Sequence, residues 1–123
     1  MNPKQNETKI YSVKEINHEL KKIVSTFFNS IWIEGEISQI NFHNTGNVYL
    51  SLKDEEAQID AIIFRNSMKE DYKKLKVGTK IQALGSLSVY IKGGRYSFNI
   101  REIKQKGKGE LYEKFLKLKA KLE

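Results

Sequence analysis

The chain of 123 residues contains no cysteine. This absence excludes a disulfide framework and a zinc site built on thiolates. The first ten residues, MNPKQNETKI, are polar and lack the apolar segment of a secretory signal peptide. No apolar run approaches the roughly 20 residues that span a bilayer. The sequence therefore predicts a soluble, cytoplasmic protein without membrane contact, with residues 1–10 as a disordered leader.

The net charge of +7 is unevenly distributed along the chain. Residues 1–85 carry 12 Lys/Arg and 11 Asp/Glu, a balance of +1, whereas residues 86–123 carry 10 and 4, a balance of +6. A one-sided basic excess is typical of proteins that bind polyanions. It is also compatible with an ordinary lysine-rich surface, so charge alone leaves both interpretations open.

A helix is predicted to begin after Ser12, because Ser12 and Glu15 have the spacing of a capping box. We interpret the apolar stripe that follows as core packing rather than as a binding groove. The stripe comprises Val13, Ile16, Leu20, Ile23, Val24 and Phe27.

Beyond this helix the apolar residues alternate with polar ones, which is the period of a β-strand. Gly35 and Gly85 predict bulges or bends within the first and fourth strands. A polar loop over 39–47 follows the first strand, and a short helix over 66–75 follows the third. Gly93-Gly94 predicts a two-residue hairpin turn with positive φ at both glycines. The five predicted strands begin near Ile31, Val48, Ile59, Thr79 and Tyr96.

The order of elements is α-βββ-α-ββ-α, which favours a mainly β fold, a five-stranded OB-fold barrel. An open α+β sheet is the alternative. The barrel has an N-terminal helix, a helix between strands 3 and 4, and a C-terminal helix over 110–122. In the fifth strand Tyr96, Phe98 and Ile100 are predicted to face inward. We expect residues 11–104 to form the domain and residues 105–123 to form a linker and the start of an outgoing helix.

OB barrels hold single strands on the face of strands two and three. Strand alternation places Tyr49 and Phe64 on the solvent side of this face, and Ile62 with them. Arg65 follows directly, and Lys53 ends the second strand. A base that stacks on an aromatic ring contributes roughly 1–3 kcal/mol, and nearby cations contact phosphates. The alternative is that Phe64 packs beneath the predicted short helix.

The two loops that border this face carry further candidate nucleic-acid-binding residues. His43 lies in the first loop, where it could stack on a base or form a hydrogen bond. Lys92 and Arg95 flank the glycine turn and lie close together. Arg101 is predicted to face outward on the fifth strand. A single loop histidine or a glycine-rich turn is common, so each of these signals is weak by itself.

An acidic group in the second hairpin raises the possibility of a metal-dependent nuclease site. We reject this interpretation, because three of the carboxylates share one turn and no histidine or further carboxylate completes a two-metal site. No catalytic constellation is evident, and neither a metal nor a cofactor is expected. The acidic residues are Asp54, Glu55, Glu56 and Asp60.

Six segments of the chain resemble the N-terminal OB-fold domain of the exodeoxyribonuclease VII large subunit. No single segment is diagnostic of this family, but the order in which all six occur is specific. The resemblance covers about residues 10–123. The segments are YSVKEIN (11–17), WIEGEI (32–37), SQINFHNTGNVYLSLKD (38–54), AIIFRNS (61–67), GSLSVYIKGGRYSFNI (85–100) and GELYEKFLKLKAKLE (109–123).

The resemblance implies a domain that binds single-stranded DNA and presents it to a separate nuclease domain further along the chain, so that this segment alone is not catalytic. The chain then looks like an excised domain or a truncated protein. The family's holoenzyme degrades single-stranded DNA from both ends to acid-soluble oligonucleotides without requiring a divalent metal. Its large subunit pairs with several small subunits, which attach outside this domain.

Residue by residue, the family's aromatic–arginine pair falls on Phe64 and Arg65. Its loop histidine falls on His43, and its tyrosine and lysine of strand two fall on Tyr49 and Lys53.

The chain departs from the family at two positions of the first loop region. Asn41 stands where a basic residue is frequent, and Asn47 stands where histidine is frequent. These departures put in question how much this loop adds to DNA affinity.

Two other functions stay open at this point. The first is an RNA-binding OB module such as a tRNA anticodon-binding domain, whose strand pattern is similar. The second is a protein-interaction domain that uses the C-terminal helix as its coupling element.

Overall fold

The structure, a computed structural model, describes residues 8–67 and 72–105. Most of the predicted leader and the predicted C-terminal helix lie outside these residues. The elements are one helix, α1, and five strands, β1 to β5. Their bounds are α1 Val13–Phe27, β1 Ile31–Phe42, β2 Val48–Lys53, β3 Gln58–Ile63, β4 Lys80–Tyr90 and β5 Arg95–Gln105.

The five strands form a closed barrel in the order β1-β2-β3-β5-β4, which confirms the predicted OB architecture. β1 is 12 residues long and pairs with two partners. Its first half runs antiparallel to β4, with Ile31 opposite Gly85, and its second half runs antiparallel to β2, with Phe42 opposite Val48. β3 and β5 are parallel. Because the sheet closes on itself, no long strand edge is left unpaired within residues 8–67 and 72–105.

The core fills the barrel from the inward side of every strand, as the alternation of apolar residues predicts. Seven of its large side chains are fully removed from solvent, which contributes roughly 1.5–3 kcal/mol per residue relative to exposure. The largest fully buried side chains are Phe98, Ile37, Leu52, Ile63, Leu75, Ile81 and Ile100.

Of the two predicted bends, the one at Gly85 is confirmed and the one at Gly35 is displaced. The β4–β5 register shifts between Leu84 and Gly85, where a Cβ would lie 2.1 Å from the carbonyl oxygen of Asn99. In β1 the shift instead falls between Ile37 and Gln39. Pairing with β2 extends β1 to Phe42, so the predicted 39–47 loop shortens to residues 43–47.

The predicted helix over 66–75 is wrong. Two short 3₁₀ segments, Arg65–Ser67 and Tyr72–Lys74, stand in its place, and residues 68–71 lie outside the described part of the chain. Leu75 N donates to the carbonyl of Tyr72 at 3.0 Å, a bond of 3₁₀ spacing. Residues three apart align in a 3₁₀ turn. Tyr72 and Leu75 therefore both reach the barrel core.

The capping box of α1 is confirmed, but the prediction that its stripe is core is wrong. Glu15 N donates to Ser12 Oγ, and Ser12 N donates to Glu15 Oε1, both at 3.0 Å. No residue of α1 is buried, and Val24 is only half-buried. The barrel fills its interior with strand side chains, so the helix packs along β4 from outside. No helix among the described residues has the length and apolar character of a membrane span.

Candidate nucleic-acid interface

The outer surface of β2 and β3, here called the binding face, lies between two loops. The β1–β2 loop, residues 43–47, adjoins one end, because Val48 pairs with Ile63 at the close of β3. The β4–β5 hairpin adjoins the opposite end, where Gly94, Arg95 and Tyr96 share a shallow cavity with the first three residues of β3. A strand lying across this face would therefore meet one loop on each side.

Arg65 is seated on the β1–β2 loop by two contacts. The backbone N–H of Arg65 donates to Oδ1 of Asn47 at 2.9 Å. The aliphatic stem of Arg65 lies against Gly46, where an added Cβ would stand 2.9 Å from Arg65 Cδ. Gly46 also has φ +95°, a region that side chains rarely adopt. The absence of a side chain at Gly46 thus leaves room for the stem of Arg65.

His43 and Tyr49 form an aromatic pair at the same end of the face. Their ring centres are 5.5 Å apart with an interplanar angle of 67°, an edge-to-face arrangement. Thr45 Oγ1 lies 3.4 Å from His43 Nδ1, and His43 N donates to the carbonyl of Asn47 at 2.9 Å. The Tyr49 side chain is 43% exposed. Its ring therefore contacts His43 on one side and is open to solvent elsewhere.

Phe64 directly follows β3 and precedes Arg65. Its side chain is 42% exposed, whereas Ile63, one residue earlier, is fully buried. Its carbonyl accepts from Ser67 N at 2.9 Å in the first 3₁₀ turn. The predicted helix that could have covered it is absent from the described residues. The structure therefore gathers Phe64, Arg65, Tyr49 and His43, here called the aromatic cluster, at one end of the face.

The surface directly beside the aromatic cluster is closed rather than open, which corrects the expectation for Ile62. Ile62 is 8% exposed, and it pairs with Tyr49 on one side and Asn99 on the other. Ser51, also buried, donates from its hydroxyl to Asp60 Oδ1 at 3.2 Å. Ile62 and Ser51 are thus buried between neighbouring strands, whereas the rings of Tyr49 and Phe64 stay exposed beside them.

Lys53 lies at the far end of β2 from the aromatic cluster. Its ammonium is 3.5 Å from Glu36 Oε2, and both side chains are substantially exposed. A surface pair of this kind contributes little and yields readily to a competing phosphate.

Asp54 follows in the tight turn and accepts the N–H groups of Glu56 and Ala57, each at 2.8 Å. These bonds lower the pKa of the Asp54 carboxyl below its ordinary value. Asp54 therefore shapes the turn between β2 and β3.

The β4–β5 hairpin turns over four residues, 91–94, rather than over the predicted two. Tyr90 pairs with Arg95, and of the two glycines only Gly94 has positive φ, at 63°. Gly93 is instead required by close approach, since a Cβ there would lie 2.8 Å from the Tyr90 ring. Lys92 and Arg95 are exposed on this hairpin.

The prediction that Tyr96 faces inward is wrong. It lies where β5 begins, at the mouth of the barrel, and is 59% exposed. With Ile33, Leu52 and Ile59 it lines a small opening there. The hairpin thus carries exposed tyrosines beside its two cations.

Arg101 is exposed, and its guanidinium binds the turn between α1 and β1. Its two terminal nitrogens donate to the carbonyl of Asn29 and to Ser30 Oγ, each at 2.9 Å. These bonds tie β5 to the turn between α1 and β1.

Sequence reasoning missed Asn47 and Gly46 as supports for Arg65. Asn47 was noted only as a departure from the pattern of the resembling family, yet its amide holds the backbone of Arg65. Asn and Gly in the run HNTGN are signals of a tight turn. That signal marks the loop but does not reveal what the loop holds, because Arg65 is 18 residues further along the chain.

The model of a protein family described as OB-fold nucleic acid binding domain matches residues 11–104. The chain is 42% identical over 120 residues to the exodeoxyribonuclease 7 large subunit of Clostridium acetobutylicum. It is 38% identical over 110 residues to that of Helicobacter hepaticus. These alignments cover 93% and 89% of this chain but only 29% and 26% of the relatives. The resemblance stated from the sequence is confirmed, and the chain spans less than a third of the relatives' length.

Solved structures with the same fold are far more distant in sequence. Asparaginyl-tRNA synthetase from Pyrococcus horikoshii superposes with a TM-score of 0.57 at 14% identity, over 72% of this chain and 21% of that one. A chain of a replication protein A heterotrimer bound to single-stranded DNA superposes with a TM-score of 0.54 at 17% identity, over 76% of this chain and 72% of that one. At these identities the likeness concerns the fold.

Proposed function

We propose that the chain binds single-stranded DNA across the binding face. The chain belongs to the family of OB-fold nucleic acid binding domains. The observation that carries the proposal is the aromatic cluster. Two exposed rings, Tyr49 and Phe64, stand beside a seated cation, Arg65, at one end of the strands on which such barrels hold single strands.

The chemistry of the cluster suits an unpaired strand better than a duplex. In a duplex the bases are already stacked on one another, whereas an unpaired strand can place a base on an exposed ring. The guanidinium of Arg65 supplies donors for a phosphate next to that base. Lys92 and Arg95 on the opposite loop add positive charge along the path of the backbone.

The wider role follows from the resemblance to exodeoxyribonuclease VII large subunits. We propose that the domain presents single-stranded DNA to a nuclease domain in a longer protein, where the small subunit of that enzyme is the protein partner and the cytoplasm is the compartment. In this role the domain supplies affinity and orientation for the strand, and the hydrolysis takes place elsewhere.

The test is the double substitution Phe64→Ala with Arg65→Ala, measured by fluorescence anisotropy with labelled oligo-dT. Loss of one stacked base and one phosphate contact removes about 2–4 kcal/mol, which weakens binding roughly 30- to 1,000-fold. Neither side chain is buried in the core, so the melting temperature is expected to stay near that of the parent.

A matched control is available on the other side of the barrel. Lys104 Nζ lies 4.9 Å from the centre of the exposed Trp32 ring, on the wall made by β1, β4 and β5. Trp32→Ala with Lys104→Ala also removes one ring and one cation, and it is expected to leave oligo-dT affinity nearly unchanged. Equal losses from both double variants, or none from the first, would refute the binding face.

An RNA-binding role is separated from the DNA-binding role by matched oligonucleotides. Oligo-dT and oligo-rU present similar bases and phosphates but differ at the 2′ position and in the thymine methyl group, so oligo-dU serves as the third ligand. Tighter binding of oligo-rU than of oligo-dU would indicate contacts to the 2′-hydroxyl and favour RNA.

A further inference from the structure

The β4–β5 hairpin continues beyond the barrel wall as a two-stranded ribbon, residues 86–97, here called the arm. In the part of the chain that the structure describes, β1 pairs with β4 only as far as Gly85, and β3 pairs with β5 only from Phe98 onward. Past these points the two strands of the arm pair with each other, up to Tyr90 opposite Arg95. A two-stranded ribbon by itself is marginally stable at best in water, so the arm needs support from another element.

The helix α1 supplies that support along the edge of β4 that β1 leaves beyond Gly85. Leu87 N donates to the carbonyl of Phe28, the residue that caps the carboxyl end of α1, at 2.8 Å. At the tip of the arm, Asn17 Nδ2 donates to the carbonyl of Ile91, also at 2.8 Å. The two bonds are eleven residues apart on the helix, about 16 Å, and four residues apart on the strand, about 13 Å. The helix therefore follows the arm over most of its length.

The burial of side chains agrees with this contact. Asn17 and Val24 are half-buried, whereas every other residue of α1 is exposed. They are seven residues apart and so lie on the same side of the helix. Val89, within the arm, is buried although it does not belong to the core cluster of the barrel. Since α1 packs along β4, these residues indicate that the helix covers the arm.

The arm carries exposed groups at one end of the binding face. Gly94, Arg95 and Tyr96 share a shallow cavity with the first three residues of β3, which is the end opposite the aromatic cluster. Lys92 and Arg95 are exposed there, and so are the rings of Tyr90 and Tyr96. The position of these groups relative to the face depends on how firmly the backbone of the arm is held.

We propose that α1 holds the arm at this end of the binding face, and that Asn17 is a positioning residue for DNA binding. Its amide fixes the backbone of the turn from which Lys92 and Arg95 project. The DNA part of this inference rests on the proposed function, whereas the attachment of the arm rests on the geometry alone. Groups that are held in place lose less conformational freedom when they bind. Loss of the Asn17 bond therefore weakens binding through the cations of the arm and not through the aromatic cluster.

The attachment is tested by Asn17→Ala in the full 123-residue chain, with amide hydrogen exchange followed by NMR. Alanine favours a helix more than asparagine does, so the substitution does not weaken α1 itself. The amides of the arm are expected to exchange about threefold faster or more, and the amides of β2 at the parent rate. The amide of Gly94, which donates to the carbonyl of Tyr90 at 2.8 Å, reports on the tip of the arm.

Thr26→Ala is the matched control for this measurement. Thr26 Oγ1 donates to the carbonyl of Lys22 at 2.7 Å, a bond between side chain and backbone that stays within α1. Alanine again favours the helix. The control is expected to leave the exchange rates of the arm unchanged.

The effect on DNA is tested by a double-mutant cycle with labelled oligo-dT. Asn17→Ala alone is expected to weaken binding about two- to threefold. In a chain that already carries Lys92→Ala with Arg95→Ala, it is expected to cause no further loss, because its effect depends on those two cations. In an Arg65→Ala chain the two- to threefold loss is expected to persist. A residue that only stabilises the fold would cause the same loss in all three backgrounds.

Two results would overturn the proposal. They are equal exchange rates of the arm in the Asn17→Ala and Thr26→Ala chains, and an undiminished loss from Asn17→Ala in the chain without Lys92 and Arg95. Failure of the parent chain to bind oligo-dT would instead refute the proposed function, and with it the DNA contacts of the arm. The exchange rates decide the attachment of the arm separately.

Discussion

The two loops that border the binding face hold their cations in different ways. In the β1–β2 loop, Asn47 and Gly46 form a seat for Arg65. In the β4–β5 hairpin, Lys92 and Arg95 project from a turn whose shape depends on Gly94 and on the packing of Tyr90 against Gly93. A seated side chain loses less conformational freedom on binding than a free one. We therefore expect the first loop to orient a bound strand and the second loop to supply general electrostatic attraction.

The largest expected effect separates the two loops directly. Arg65→Ala is expected to weaken oligo-dT binding about tenfold, since a charge-assisted hydrogen bond contributes about 1.5 kcal/mol or more. Lys92→Ala is expected to cost only two- to threefold, about 0.5 kcal/mol, because its contact is exposed and screened. Anisotropy titrations at one fixed salt concentration measure both. A greater loss from Lys92→Ala would reverse the assignment of the two loops.

The seat itself is tested by Asn47→Ala, which leaves every cation in place. The free N–H and the loosened loop let Arg65 sample other positions, and affinity is expected to fall about threefold, or roughly 0.7 kcal/mol. Asn44→Ala removes an exposed amide from the same loop and serves as the control. If both variants bind like the parent, Arg65 is not held by the loop in any way that binding requires.

Salt dependence sharpens the comparison by counting phosphate contacts. For single strands the slope of log K against log salt is about −0.7 per phosphate neutralised. Arg65→Ala is expected to reduce the magnitude of the slope by about 0.7, and Lys92→Ala with Arg95→Ala to reduce it by up to about 1.4. A parent slope near zero would contradict electrostatic binding altogether.

The smallest expected effect is on stability and concerns the turn between β2 and β3. In this third loop the carboxylate of Asp54 fixes the backbone. The N–H groups of Glu56 and Ala57 lower the pKa of Asp54 in the folded protein, so its contribution to stability is present above the ordinary aspartate pKa. That contribution is lost as the pH falls through the lowered value. Asp54→Ala is expected to lower the melting temperature by a few degrees near neutral pH.

In strong acid the difference between Asp54→Ala and the parent is expected to vanish. Glu55→Ala, at an exposed position of the same turn, is the control and is expected to melt like the parent. An NMR titration that finds an ordinary pKa for Asp54 would contradict the structural role of its carboxylate.

Much of this molecule can be predicted from local patterns. The alternation of apolar residues determined the five strands, because each strand must place one side in the core. The capping box determined where α1 begins, since its two bonds join residues only three apart. The basic C-terminal third and the aromatic–arginine pair at 64–65 predict a polyanion ligand from the sequence alone.

Other features depended on which distant residues meet, and these only the tertiary structure decided. The exposure of α1 arises because the closed barrel fills its own interior, which periodicity within the helix cannot reveal. Ile62 is buried and Tyr96 is exposed because burial depends on cross-strand neighbours and on distance from the barrel mouth. The seat of Arg65 depends on a hydrogen bond to a residue 18 positions earlier, a contact that exists only once β2 and β3 have paired.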